Sequence, residues 1–193
     1  MLEKDYKKYK WFFTSSEKLV IGGKSADQND ELLNKLKKTK KEYYVMHTSA
    51  PGSPFCVVLA DIKEVGLRDL EEAAVFTGCF SRAWKGMKRK SDIHIFKLSQ
   101  VSKGKNMKNG TWNIKGEVNK TSVELKLVLT KQNGIYRAVP LKTASKDERL
   151  LTVCPGEDDK AKMVDKIIKK LRDKNIKKDE IIAALPAGGV EIC

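Results

Sequence analysis

A chain of 193 residues suits one domain, or one domain with a small appendage, and its 40% hydrophobic and 7% aromatic content excludes the disordered class. Lys and Arg number 39 against 25 Asp and Glu, a formal charge of +14 with a pI near 9.5, which points toward a nucleic-acid partner. The four cysteines, Cys56, Cys79, Cys154 and Cys193, lack metal-ligand spacing; no zinc site or other cofactor is expected, and reduced thiols in a cytoplasmic protein are.

The first residues contain no apolar targeting segment, and nowhere does an apolar run approach the ~18 residues of a membrane span. The chain is therefore expected to be soluble, with no membrane partner. Residues 10–15 (KWFFTS) and 18–22 (KLVIG) are rich in aromatic and β-branched side chains and predict a β-hairpin. Beyond Gly22-Gly23, Ser25 or Asp27 is placed to cap a helix in which Leu32, Leu33 and Leu36 make one apolar stripe. Acids open that helix, and Lys37, Lys38, Lys40 and Lys41 close it, as the helix dipole favours.

Residues 42–47 (EYYVMH) and 55–60 (FCVVLA) predict strands around a loop with two prolines and a glycine. The loop's hydroxyls and free amides, next to His47, suit an anion-accepting turn, although a strand-end histidine also reads as a structural hydrogen-bonder. Residues 67–85 repeat apolar and small positions (Leu70, Ala73, Ala74, Thr77, Trp84) at spacings of three and four, a single helix stopped by Gly86. Lys88, Arg89 and Lys90 follow. Trp84 reads either as core or as a ring on which a base stacks.

Residues 93–116 run strand, cationic loop, strand. Lys103, Lys105 and Lys108 lie among glycines with almost no acid nearby, a pattern suited to a phosphate backbone or to a solvated hairpin loop. Residues 122–130 (SVELKLVLT) alternate as one strand, Asn133-Gly134 makes a tight turn, and residues 135–141 return. A strand at 150–154, a helix over 157–174 starting after Pro155-Gly156, a short helix at 179–185 and a terminal strand within 187–193 complete the chain. The polar stretch 143–149 is the only linker. The expected fold is α+β, a mostly antiparallel mixed sheet with two or three packed helices, divided into residues 1–144 and a small C-terminal helical unit, 145–193.

Several of these segments, in order, resemble the NFACT-R domain, the RNA-binding module of a family whose larger members act in ribosome-associated quality control. They are Trp11-Phe12-Phe13-Thr14-Ser15 with Leu19-Val20-Ile21-Gly22-Gly23-Lys24; Gln28-Asn29-Asp30-Glu31-Leu32; the His47 strand end with Gly52-Ser53; Ala73-Ala74 with Ser81 and Ala83-Trp84; and Gln100-Val101-Ser102-Lys103 with Gly110-Thr111-Trp112-Asn113-Ile114-Lys115-Gly116. Together they cover residues 10 to 117. Family members carry an acid two residues after the histidine, where this chain has Ser49. The NFACT-N, helix–hairpin–helix and coiled-coil segments of the larger members are absent from these 193 residues, which predicts a stand-alone form.

The charge pattern and the resemblance together imply a non-catalytic RNA-binding protein that contacts tRNA or rRNA, with the large ribosomal subunit as a further partner. The expected contacts are Lys103, Lys105 and Lys108 on the loop, Lys85, Lys88, Arg89 and Lys90 on the same rim, and His47, Ser49, Gly52 and Ser53. Ser81, Trp84, Gln100 and Ser102 come from the matched motifs. The alternatives are a protein-docking module on ribosomal assemblies, a DNA-binding module, and an enzyme in which a histidine activates Cys56 or Cys79. Against the enzyme, no nucleophile sits in a recognisable elbow, and Cys56 and Cys79 fall inside a predicted strand and helix. Oligomeric state is not legible.

Overall fold

Side chains alternate between two separate cores along the strands of the principal sheet. The computed structural model describes residues 2, 4–173 and 175–193. Six strands, β1 (Lys10–Phe13), β2 (Leu19–Gly22), β3 (Tyr44–Thr48), β4 (Cys56–Val58), β5 (Lys90–Lys97) and β8 (Asn119–Glu124), form an antiparallel sheet in the order β1-β2-β4-β3-β5-β8. Phe12, Val20, Met46 and Val58 belong to one core; their neighbours Trp11, Ile21, Val45 and Val57 belong to the other. Period-two alternation of apolar residues on both faces requires a helix on each side.

Helix α1 (Ala26–Lys37) covers one face through Leu32, Leu33 and Leu36, and Ser25 caps it by accepting from Gln28 N–H at 3.2 Å. Helix α2 (Leu67–Cys79) covers the other with Ala73, Ala74 and Phe76. The single helix expected over 67–85 is interrupted. Ser81 is extended, donates to Gly78 O at 2.7 Å and accepts from Ala83 N–H at 3.1 Å, so it ends α2 and caps the short α3 (Arg82–Lys85). A hydroxyl satisfying backbone groups locally outcompetes helix continuation.

The strand expected over 122–130 also divides. Its first half is β8 in the principal sheet; buried Leu125 turns the chain, and β9 (Leu127–Gln132) begins a second sheet, β10-β9-β11-β12, with β10 (Ile135–Pro140), β11 (Leu151–Pro155) and β12 (Val190–Ile192). The pair β6 (Val101–Ser102) and β7 (Asn113–Ile114) stands apart. Helices α4 (Lys160–Leu171) and α5 (Lys178–Ala184) pack their apolar stripes into the first core through Met163, Val164, Ile167 and Ile181. The expected end of the α4 helix, Lys174, lies outside the described residues. The boundary expected at 144/145 falls within this second sheet, whose strands come from both sides of it.

Two polar devices join these layers. β1 is an edge strand, and side chains from the second sheet occupy its free backbone groups: Gln132 accepts from Phe13 N–H at 2.9 Å and donates to Phe13 O at 2.7 Å, while Arg137 donates to Trp11 O at 3.1 Å. The buried α2 carboxylates Asp69 and Glu72 accept from Thr14 and Ser15, fixing the β1–β2 turn. The cysteines depart from expectation. Cys154 and Cys193 form a disulfide between β11 and the end of β12, because antiparallel pairing brings their Cα atoms to 6.1 Å; Cys56 and Cys79 remain free and buried.

That crosslink joins residues 39 apart in sequence. Cys193→Ser, or reduction with dithiothreitol, is expected to lower stability by about 2–4 kcal/mol in urea unfolding. An unchanged midpoint would show that β12 needs no fastening.

Candidate nucleic-acid interface

The walls of the candidate site are attached to the N-terminal part of α1. Asn29 Oδ1 accepts from Phe55 N–H at 3.1 Å and so holds the end of the 48–55 loop. The approach leaves no side-chain room at Gly23, where an added Cβ would lie 2.2 Å from Asn29 Oδ1. Asp30 accepts from Gly110 N–H at 3.1 Å, from Trp112 Nε1–H at 2.7 Å and from the Lys103 ammonium, and Asn109 donates to Asp27 at 2.8 Å. Burial acts to raise the Asp30 pKa, but the donors from Lys103, Trp112 and Gly110 hold it below the ordinary carboxylate range. The loop after β6 is thereby held to α1.

Between these walls lies an open groove of about 690 Å³. Lys10, Lys24, Arg82, Lys85 and His47 line it together with Ser25, Ser49, Ser53, Ser81 and the 109–112 backbone, and Phe55 and Phe80 supply apolar surface. No carboxylate among the described residues lines it. Ser49 and Arg82 also border a second groove of about 410 Å³ lined by Lys88, Lys90, Ser91 and Asp92.

The expected residues divide into three groups. His47, Ser49, Gly52, Ser53, Ser81 and Lys85 meet in the larger groove, and Lys88 and Lys90 lie beside it. Within this group Ser53 accepts from Thr48 N–H at 3.0 Å, so its hydroxyl shapes the loop. Gly52 has φ 107°, and an added Cβ there would lie 2.4 Å from Arg82 Cδ; it gives passage to the arginine stem. Lys105 and Lys108 are exposed on the tethered loop but do not line the groove.

Four of the expected residues are engaged within the fold. Trp84 is fully buried and donates through Nε1 to Gly189 O at 3.0 Å, so no base reaches its face. Gln100 commits its amide to Lys115 O and Glu117 O at 2.9 and 2.7 Å and accepts from Lys97 N–H at 2.8 Å. Ser102 is half-buried in β6, paired with Asn113. Lys103 is neutralised by Asp30 and lies over the Trp112 ring at 5.4 Å. Its charge holds the loop. Arg89 is partly balanced as well, by Glu191 at 2.7 Å. Lys10 and Arg82 carry no mark in the sequence because their convergence depends on tertiary folding, whereas Lys24 closes the matched run Leu19-Val20-Ile21-Gly22-Gly23-Lys24 without being marked as a contact.

His47 stacks on Phe55 with centroids 4.5 Å apart, and its Nδ1 lies 2.7 Å from Thr48 O, the geometry of an Nδ1–H donor. Burial lowers its pKa, the Thr48 carbonyl partly restores it, and His94 opposite on β5 lowers it further. At neutral pH the imidazole is uncharged, with Nε2 as its acceptor. Burial pushes the Cys56 thiol up to about 12 and raises that of Cys79 too. Among the described residues no cluster of His, Cys, Asp or Glu is arranged to hold a metal, and no helix is long and apolar enough to cross a membrane.

The described residues thus build an α+β sheet domain with a cationic groove that no described carboxylate lines. The chain belongs to the family described as the NFACT protein RNA binding domain, which matches residues 8–116. It is 33% identical to the archaeal Rqc2 homolog aRqcH of Methanocaldococcus jannaschii over 97% of this chain, an alignment that extends into the second sheet. It is 32% identical to the ribosome quality control complex subunit NEMF of mouse and of human over 59% of this chain. The chain spans 29% of the archaeal relative and 11% of NEMF. The C-terminal part of the fibronectin/fibrinogen-binding protein of Streptococcus suis shares the fold, with a TM-score of 0.51 at 19% identity over 61% of this chain and 44% of that one.

Asp30→Ala is expected to leave the Trp112, Gly110 and Lys103 donors without their acceptor, at a cost of about 1–3 kcal/mol in urea unfolding at neutral pH. Because the folded pKa is depressed, the Asp30 contribution is present above the unfolded carboxylate pKa and fades as pH falls through the folded value. The difference between wild type and Asp30→Ala should therefore shrink in strong acid. A constant difference across that range would contradict the role given to its charge.

Proposed function

We propose that this protein is a non-catalytic RNA-binding module acting in the cytoplasm in ribosome quality control, where it contacts tRNA or rRNA. The observation that carries the reading is the groove lined by Lys10, Lys24, Arg82 and Lys85 with no carboxylate among its described lining residues. Family membership and the similarity to aRqcH and to the ribosome quality control subunit NEMF supply the setting. Ser49 contributes by leaving its own position uncharged where the resemblance expects an acid, so the groove keeps its positive charge. Lys24, Arg82 and Lys85 contact phosphates, and neutral His47 accepts from a hydroxyl such as the ribose 2′-OH. Lys105 and Lys108 extend the cationic track along the tethered loop.

The non-catalytic reading is supported by the free thiols, both buried with raised pKa values and so poor nucleophiles, and by His47, whose Nδ1 is engaged by a backbone carbonyl.

Filter binding of a single-stranded RNA across a salt series tests this reading. Arg82→Ala with Lys85→Ala should lower the log–log salt slope by about 0.7 for each phosphate that is no longer neutralised. Lys103→Ala should chiefly lower stability, because its ammonium is already paired with Asp30. If the slope is unchanged in the double variant, the groove is not the binding face; binding to ribosomes without affinity for isolated RNA would favour a protein-docking module.

A further inference from the structure

Two lysines from different parts of the fold line one side of the groove, and a third lies close to the C-terminal segment that borders it. Lys10, at the start of β1, lies with Nζ 4.9 Å from the centroid of the Phe80 ring, and both residues line the groove. Lys24 lines it from the turn before α1. Lys160, the first residue of α4, donates to Leu185 O at 3.0 Å, two residues before Ala187, which also lines the groove. The C-terminal unit thus supplies part of the wall through Ala187, and the Lys160 ammonium is held at Leu185, two residues earlier in the chain.

Burial depresses the pKa of all three, that of Lys160 to about 8; the Cys56 thiol opposes this at Lys10, while neighbouring cations add to it, Lys24 and Arg137 at Lys10, Arg137 at Lys24 and Lys10 at Lys160. Arg137 is itself engaged by the Trp11 carbonyl and ring. None of the three lysines has a carboxylate partner among the described residues. Like charges drawn together over an aromatic floor are relieved when an anion binds between them. A phosphodiester carries one negative charge, whereas a phosphate monoester approaches two and presents three acceptor oxygens.

We propose that Lys10, Lys24 and Lys160 form a subsite for the phosphate monoester at the end of an RNA strand, set against Phe80 where the C-terminal unit closes the groove. This rests on the RNA reading above and adds to it: the groove takes the phosphate backbone along its length and a terminal phosphate at this side. Residues 145–193 then participate in recognition through Lys160.

The test compares one short single-stranded RNA with a 5′-phosphate, with a 3′-phosphate, and with hydroxyls at both ends, by fluorescence anisotropy at fixed salt. One phosphorylated form should bind about tenfold more tightly than the hydroxyl form, the gain expected of a charge-assisted contact. Lys160→Gln should remove most of that preference, as should Lys24→Gln, whose exposed side chain carries little folding risk. Lys105→Gln should weaken all three RNAs alike. Equal binding of the three RNAs, with an intact salt dependence, would overturn the subsite and leave the RNA reading standing. A preference that survives both lysine variants would overturn its placement, and failure to bind any of the RNAs would overturn both readings.

Discussion

The groove exists because one helical turn tethers both of its walls. Asn29 and Asp30 are adjacent in α1, yet the first holds Phe55 and the second holds Gly110, Trp112 and Lys103. Two loops far apart in sequence are thereby set at a defined spacing against the same end of the sheet. An amide serves one attachment and a carboxylate the other, according to what each must satisfy. A single backbone N–H needs only a neutral acceptor, whereas an ammonium and two N–H donors call for a charged one. The negative charge of Asp30 is consumed in this task, so it does not enter the groove as an opposing field.

What remains inside is positive charge that the described carboxylates leave uncompensated. Elsewhere carboxylates are employed internally: Asp69 and Glu72 are buried against the β1–β2 turn, and Asp158 and Asp165 pair with lysines of the C-terminal unit. Exposed pairs of the latter kind contribute little to stability. Cohesion comes from the two apolar cores on either side of the principal sheet, which tolerate a strained cationic face because they do not depend on it. Concentrating charge on one face destabilises the isolated protein slightly and strengthens attraction to a polyanion.

Much of the scaffold is legible in the chain, and the reasons for the failures are specific. Trp11/Phe12 and Val20/Ile21 announce a β-hairpin, Ser25 or Asp27 announces a helix start, and Asn133-Gly134 announces the β9–β10 turn, since each depends on neighbours within a few residues. The passage of the chain from one sheet to the other at Leu125 leaves no mark, because alternation is the same whichever sheet receives it. Ser81 looks like another polar position on a helix until its hydroxyl is seen capping α3. The disulfide reflects strand pairing 39 residues apart in sequence. The loop lysines illustrate the same limit for function: Lys103, Lys105 and Lys108 share one charge pattern, and only the approach of Asp30 assigns Lys103 to structure. Conversely, Lys10 and Arg82 are unremarkable until folding brings them to the same groove.

The most direct test of the account is to map the RNA contact residue by residue, recording amide and side-chain NMR shifts of the labelled protein as single-stranded RNA is added. The account predicts that the changes concentrate at Lys24, His47, Ser49, Arg82, Lys85 and the 109–112 backbone, with Lys103 and Trp84 little affected. Changes concentrated instead on the exposed lysines of α4, or spread evenly over the basic surface, would contradict it.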